Sequence, residues 1–183
     1  KVAYVYQNNL FVKDLDTNIA TQITTDGKKN SIINGITDWV YEEEFAFVRA
    51  FQWSGNSDKI AFMRFDETDV PEFTMMKYGE SLYPEKETFK YPKAGENNSK
   101  LSLHLYSVNT QKTSAINLGT LDQYYIPRMA FTKEADVLCV TTLNRHQNNL
   151  NLIFVDTNTL KSRLVLNETA TTYIDITNNL TFL

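Results

Sequence analysis

Short runs of alternating apolar and polar residues recur along the chain, punctuated by Asn, Asp, Thr and Gly, and predict a protein built from β-strands. Residues 2–6, 10–15 and 20–24 read as three strands, with turns at Gln7-Asn8-Asn9 and Asp16-Thr17-Asn18, and Asp26-Gly27 closes the unit. The phrase of apolar strand, turn and polar-edged strand then returns. It covers residues 103–108, Asn109-Thr110 and residues 112–117, and again residues 152–155, Asp156-Thr157-Asn158 and residues 160–166. A second phrase, strand–polar turn–strand, spans residues 51–62 and 129–139. Thr110 and Thr157 are separated by the forty-odd residues (about one four-stranded propeller blade) that such a repeat implies. The fold class expected is therefore all-β: a partial β-propeller of four-stranded antiparallel blades, about three to four of them. Residues 174–182 read as a further strand pair cut short, and a start in mid-strand at Lys1 reads as an excised fragment.

Two segments break this rhythm. One is residues 64–100, which holds Pro71, Pro84 and Pro92 together with Phe65, Phe73, Tyr78, Tyr83, Phe89 and Tyr91. Prolines suit an extended excursion with edge strands better than a central strand. A loop folded back over the blades is the equal alternative. The other segment runs from Asn34 to Phe45 and contains Asp38-Trp39-Val40-Tyr41-Glu42-Glu43-Glu44. Charge runs are usually solvated faces. Here three acids repel one another, with no basic residue four positions before or after any of them, and Arg49 lies five residues past Glu44. Neighbouring side chains on a strand point to opposite faces, so Glu43 and Glu44 converge on one ligand more readily from a helical turn. Asp38 or Thr37 is placed to cap that turn, and acids in its first turn suit the helix dipole. The ligand class is a cation, most simply an ammonium group, whose three donors two carboxylates can satisfy.

The same residues carry a resemblance. Asp38 to Glu44 resembles the double-glutamate motif of the dipeptidyl peptidase IV branch of the prolyl oligopeptidase family. Phe65-Asp66-Glu67-Thr68-Asp69-Val70-Pro71 and Tyr91-Pro92-Lys93-Ala94-Gly95-Glu96-Asn97 are similar to two further stretches of that family, in the same order. Past Lys100 the match is to a general propeller pattern. The resemblance implies that residues 1–183 are a fragment of an N-terminal propeller domain, with extended insertions at about 34–45, a short helix bearing the double glutamate, and about 64–100, an arm. It implies that Glu43 and Glu44 bind the free α-amino group of a peptide substrate and that an arginine assisting them lies before Lys1. A Ser-Asp-His triad, oxyanion donors and a proline-sized pocket would come from a C-terminal α/β-hydrolase domain of the same protein. The function implied is that of the substrate-gating part of a serine exopeptidase removing N-terminal di- or tripeptides, typically after proline. The arm is the candidate for homodimer contacts.

Composition trims the alternatives. A net charge of −4 and a pI near 5.2 argue against nucleic acid as a partner and leave a cationic substrate open. Cys139 is the only cysteine, so no intrachain disulfide and no thiolate zinc cluster can form, and its apolar neighbours mark it as a buried structural thiol. No Gly-x-Ser-x-Gly elbow, His-Glu-x-x-His helix, phosphate loop or EF-hand is present, so neither a catalytic residue nor a cofactor or metal is expected in this chain. His104 lies in an apolar strand and His146 in a turn, each without a paired nucleophile. Reliance on no disulfide points to a bacterial envelope protein, periplasmic or at the cell surface. The alternative function is a non-catalytic propeller serving as a binding or scaffold module, with the acids as a surface patch.

Overall fold

The computed structural model describes residues 1–119 and 124–182. Its strands form three antiparallel sheets in chain order, the arrangement of successive blades of a partial β-propeller, with a two-stranded arm. The first sheet holds β1 (Val2–Tyr6), β2 (Asn9–Lys13) and β3 (Ala20–Gln22). Tyr6 pairs with Asn9, so Gln7 and Asn8 are a two-residue turn, and φ values of 48° and 61° make it the hairpin type whose twist matches its strands.

The second sheet contains β4 (Ile32–Asn34), β5 (Phe51–Trp53), β6 (Lys59–Asp66), β9 (Lys100–Ser107) and β10 (Lys112–Ile116). Both β4 and β5 lie along the same β6, opposite residues 64–66 and 60–62. The gap between them is bridged by Gly35, whose N–H donates to Met63 O, and by Ala50, whose N–H donates to Gly35 O. β4 and β5 are thus one strand opened between Gly35 and Ala50, and the acidic segment loops out of the opening. Gly35 needs its freedom: its φ is 76°, and a Cβ there would sit 3.0 Å from Val5 and 3.1 Å from Leu10.

The third sheet is an ordered meander of β11 (Tyr124–Phe131), β12 (Val137–Asn144), β13 (Asn149–Asp156) and β14 (Ser162–Thr169). The arm, β7 (Glu72–Lys77) paired with β8 (Glu85–Lys90), leaves between β6 and β9. Most of its side chains are exposed, so it is the extended excursion rather than a loop folded over the blades. Residues 174–182 contain no strand, which corrects the expected terminal strand pair. Ile174 instead donates its N–H to Gln147 O and is buried, so this segment is fastened at single points without a ladder.

The repeated turn phrase is real, but its register differs from the one read in the sequence. Asp156 Oδ1 accepts from the N–H groups of Asn158 and Thr159, and Leu160 follows with φ 58°. The equivalent position near the N-terminus is Asp14, not Asp16: its Oδ1 accepts from Asp16 and Thr17, and Asn18 has φ 60°. What repeats physically is one carboxylate holding two amides before a left-handed residue.

The larger core lies between the second and third sheets and includes Met63, Phe65, Leu103, Ile126, Leu138, Leu143 and Val155. Val40, Tyr41 and Phe45 of the looped-out segment belong to it. A smaller core joins Leu10 and Val12 to Ile60, Phe62 and Tyr106. Lys59 pins the two later blades together: its Nζ donates to Asp136 at 2.5 Å and to Asn158 at 2.7 Å. Cys139 is buried, and burial pushes its thiol up to about 11, in keeping with a structural role. His104 stacks on Phe62 with ring centres 5.3 Å apart, and Ser102 lies 2.9 Å from its Nε2. Burial holds this imidazole below its ordinary pKa, so it sits neutral in the sheet.

Candidate site for a cationic ligand

The looped-out segment closes at its base before it forms the site. Ile36 bridges to Arg49, the Thr37 N–H donates to Val48 O, and the Thr37 hydroxyl donates to Phe47 O at 3.0 Å. Helix α1 (Trp39–Glu43) follows. Asp38 is its cap: Oδ1 accepts from the Tyr41 N–H at 3.1 Å, while Thr37 is taken up by the loop closure. Only Glu42 lies in the first turn, where the helix dipole favours it. Glu43 is the last helical residue and Glu44 the C-cap, at the end where the dipole opposes a carboxylate, and no basic residue stands in the last turn.

All three acids are exposed, and among the described residues their side chains make neither an ion pair nor a hydrogen bond. Glu43 and Glu44 are thus adjacent exposed residues whose carboxylates have no basic partner among the described residues. Glu44 is on the wall of a cavity of about 840 Å³, shared with Trp39, Phe73, Tyr91, Tyr125 and Arg145.

The helix that carries these acids is held hard. Tyr41 is 4% exposed and its ring meets those of Phe45, Phe47, Phe65 and Tyr125 at centroid distances of 5.1, 5.8, 5.0 and 6.2 Å. Its hydroxyl accepts the Ile126 N–H at 2.9 Å, and burial raises the phenol well above its ordinary pKa. The chain leaves the helix through Ala46 at φ 55°, a left-handed conformation that costs a non-glycine residue roughly 1 kcal/mol. Arg128 lies at this exit: Nη1 donates to Phe45 O at 2.8 Å, and the guanidinium sits 5.7 Å over the Phe47 ring.

The three stretches singled out in the sequence meet here. From the first, Trp39 packs edge-on against Tyr91 of the third, with centroids 4.3 Å apart. From the second, Glu67 is 6% exposed and feels the charge of Asp38. Burial, then Asp38, raise the Glu67 carboxyl to about 7, while Lys90 pulls in the opposite direction. Burial likewise raises Asp38, against the Ser99 hydroxyl that donates to its Oδ2 at 2.5 Å and against the Tyr41 N–H. Ser99 and Arg128 carry no local signal in the sequence, since they act on Asp38 and Phe45, 61 and 83 positions away, and Glu67, though within one of the stretches read there, shows its partners only in the fold.

This architecture has known relatives. The sequence model described as the dipeptidyl peptidase IV N-terminal region matches residues 1–183. Prolyl endopeptidase FAP of Homo sapiens is 35% identical over 155 residues, which are 81% of this chain and 20% of that protein. A probable dipeptidyl-aminopeptidase B of Aspergillus niger is 36% identical over 179 residues, 90% of this chain and 20% of that protein. The crystal structure of Porphyromonas gingivalis dipeptidyl peptidase 4 superposes with a TM-score of 0.90 at 48% identity, covering 94% of this chain and 25% of that one. A Bacteroides ovatus structure described as a putative dipeptidyl aminopeptidase IV shares the fold, with a TM-score of 0.78 at 22% identity. The chain spans about a fifth of the length of these curated relatives. It belongs to the dipeptidyl peptidase IV family, in the N-terminal region of those larger peptidases.

Proposed function

We propose that this chain is the substrate-gating propeller part of a dipeptidyl-peptidase-IV-like serine exopeptidase, and that Glu43 and Glu44 hold the α-ammonium group of its substrate. The observation that carries the reading is a pair of exposed carboxylates with no cation beside them among the described residues, at the end of a helix whose other face is built into the core. The backbone that carries the pair is anchored in the core before the ligand arrives, which lowers the ordering cost of holding an ammonium there.

The clamp acts as a ruler. Each extended residue spans at most about 3.3–3.6 Å, so an amine fixed at one point sets how many residues lie between it and a nucleophile. That nucleophile, its His and Asp partners and the proline-sized pocket belong to a C-terminal α/β-hydrolase domain of the same protein. Release of N-terminal di- or tripeptides after proline follows from where that domain sets the serine. A peptide with a blocked amine loses the clamp. Exposed apolar side chains on the arm, among them Tyr78, Leu82 and Tyr83, support a homodimer contact there.

Each charge-assisted hydrogen bond is worth about 1.5–3 kcal/mol, so Glu43→Gln and Glu44→Gln are each expected to lower kcat/KM roughly ten-fold or more. The assay uses the full-length protein on an Ala-Pro anilide with a free amine, and its N-acetylated counterpart as control. Activity on the free-amine substrate alone, lost in both variants, supports the clamp. An active enzyme indifferent to both substitutions makes the acids a surface patch. An inactive full-length protein leaves a binding or scaffold propeller.

A further inference from the structure

Helix α1 rests on β11 through an irregularity in that strand. Tyr125 pairs with Leu143, but the next paired residue, Arg128, faces Thr141, so the register shifts across Ile126 and Pro127. Such a bulge bends its strand and re-aims the neighbouring side chains. Pro127 has no N–H to leave unpaired. The Ile126 N–H, released from the ladder, is the one that donates to Tyr41 Oη.

Arg128 follows at once, and its guanidinium reaches three separate segments. Nη1 donates to Phe45 O at 2.8 Å and to Pro127 O at 2.6 Å, Nε donates to Asn178 Oδ1 at 2.7 Å, and the plane lies over Phe47. Phe45 is the residue after Glu44, so the peptide carbonyl that Arg128 grips is the next one along from the Glu44 side chain. Ala46, beyond it, is in the left-handed region and would not hold that exit unaided.

We propose that Arg128 is a positioning residue for substrate binding: by fastening the Phe45 carbonyl to β11 and to Asn178 it fixes where the Glu44 carboxylate stands. This rests on the reading of Glu43 and Glu44 as the ammonium site. Arg128 touches no substrate in this scheme and acts through Glu44 alone. A planar fork with fixed donor directions suits the task, since one group must satisfy several partners at once. The acids are thereby tied to the third sheet as well as to the second, from which their helix emerges.

The test is a double-mutant cycle in the full-length protein, with KM and kcat measured on the free-amine and N-acetylated anilides. Arg128→Ala is expected to raise KM for the free-amine substrate about five- to ten-fold in the wild-type background and about two-fold or less in Glu44→Gln, because groups acting through one another are not additive. Arg128→Lys recovers part of the loss: an ammonium can reach the Phe45 carbonyl but cannot also bind Asn178 and cover Phe47. If Arg128→Ala yields too little folded protein, Arg128→Lys and Asn178→Ala carry the same cycle with milder changes. Equal effects in both backgrounds, or a lower thermal midpoint with unchanged KM, overturn the proposal and leave Arg128 a purely structural contact. A Glu44→Gln variant with wild-type KM overturns the ammonium reading itself, and the Arg128 proposal falls with it.

Discussion

Tyr41→Ala is expected to unseat the helix that carries the acids, at a cost of about 3–5 kcal/mol, the range for removing a large aromatic from a core. The ring is enclosed by Phe45, Phe47, Phe65 and Tyr125, which come from the exit of the looped-out segment, from β6 and from β11. No small side chain fills that space, and four aromatic rings lose a shared partner. The hydroxyl adds a separate contribution. Tyr41→Phe keeps the packing but strands the buried Ile126 N–H, which costs about 1–3 kcal/mol. The two variants therefore rank, with Phe milder than Ala. Hydrogen exchange of residues 38–47 in the full-length protein reads the effect locally, and the thermal midpoint reads it globally. A Tyr41→Phe variant whose residue 126 amide stays as protected as in wild type would show that the hydroxyl bond contributes little. Because Glu43 and Glu44 have no side-chain partner among the described residues, anything that frees the helix also spreads their carboxylates over more directions. Loss of free-amine preference is expected to accompany the loss of protection.

Local rules made much of this legible in the sequence. The alternating runs became strands because one face of each packs into a core, and Gln7-Asn8 became a hairpin turn because the two positions must both adopt positive φ. A helix cap was readable at Asp38 or Thr37, and the structure uses Asp38, with Thr37 bonded to Phe47 instead. Other features depend on partners far along the chain and leave no local trace. The division of one strand into β4 and β5 is visible only through their common neighbour β6. Arg128 looks like any strand arginine until the bulge at residues 126–127 turns it toward Phe45, 83 positions away. The turn phrase misled by two residues, since Asp14 and Asp16 are both plausible carboxylate caps and only the backbone decides which is used. The expected strand pair at residues 174–182 failed for a related reason: apolar alternation is present, but the segment is held by single contacts, Ile174 to Gln147 and Asn178 to Arg128, that the local pattern does not encode. Glu43 and Glu44 stood out because three adjacent acids without basic neighbours are locally costly, and the structure leaves that cost uncompensated at the helix end.

Glu67 gives the second large expectation, a pH dependence built into the root of the arm. The residue as a whole is 6% exposed, and among the described residues its side chain has no hydrogen bond. Asp38 faces it from the cap of α1, and Lys90 faces it from β8. Lys90 is itself occupied: its Nζ donates to Val70 O at 2.8 Å and lies 3.7 Å from Glu72. A single shared cation does not offset burial beside a second carboxyl, so the proton on Glu67 is retained to about 7 rather than 4.5. The unfolded chain releases that proton first. Folded stability is therefore lost as pH rises from about 4.5 to about 7, and the loss is complete above that range. The full shift would correspond to about 3 kcal/mol, and partial solvent access brings the expected penalty to about 2 kcal/mol. Glu67→Gln keeps the volume and cannot ionise. It should gain about 2 kcal/mol over wild type at pH 8 and nothing at pH 4, where both side chains are neutral. The measurement is hydrogen exchange of residues 66–71 and 38–45 at both pH values, in the full-length protein. Parallel pH profiles for wild type and variant would place the retained proton elsewhere, with Asp38 the next group to test, since burial raises it too. A difference that opens between pH 5 and 7 would instead show that Glu67 holds the proton beside the Asp38 cap, so that helix and arm become less firmly joined as the solution turns alkaline.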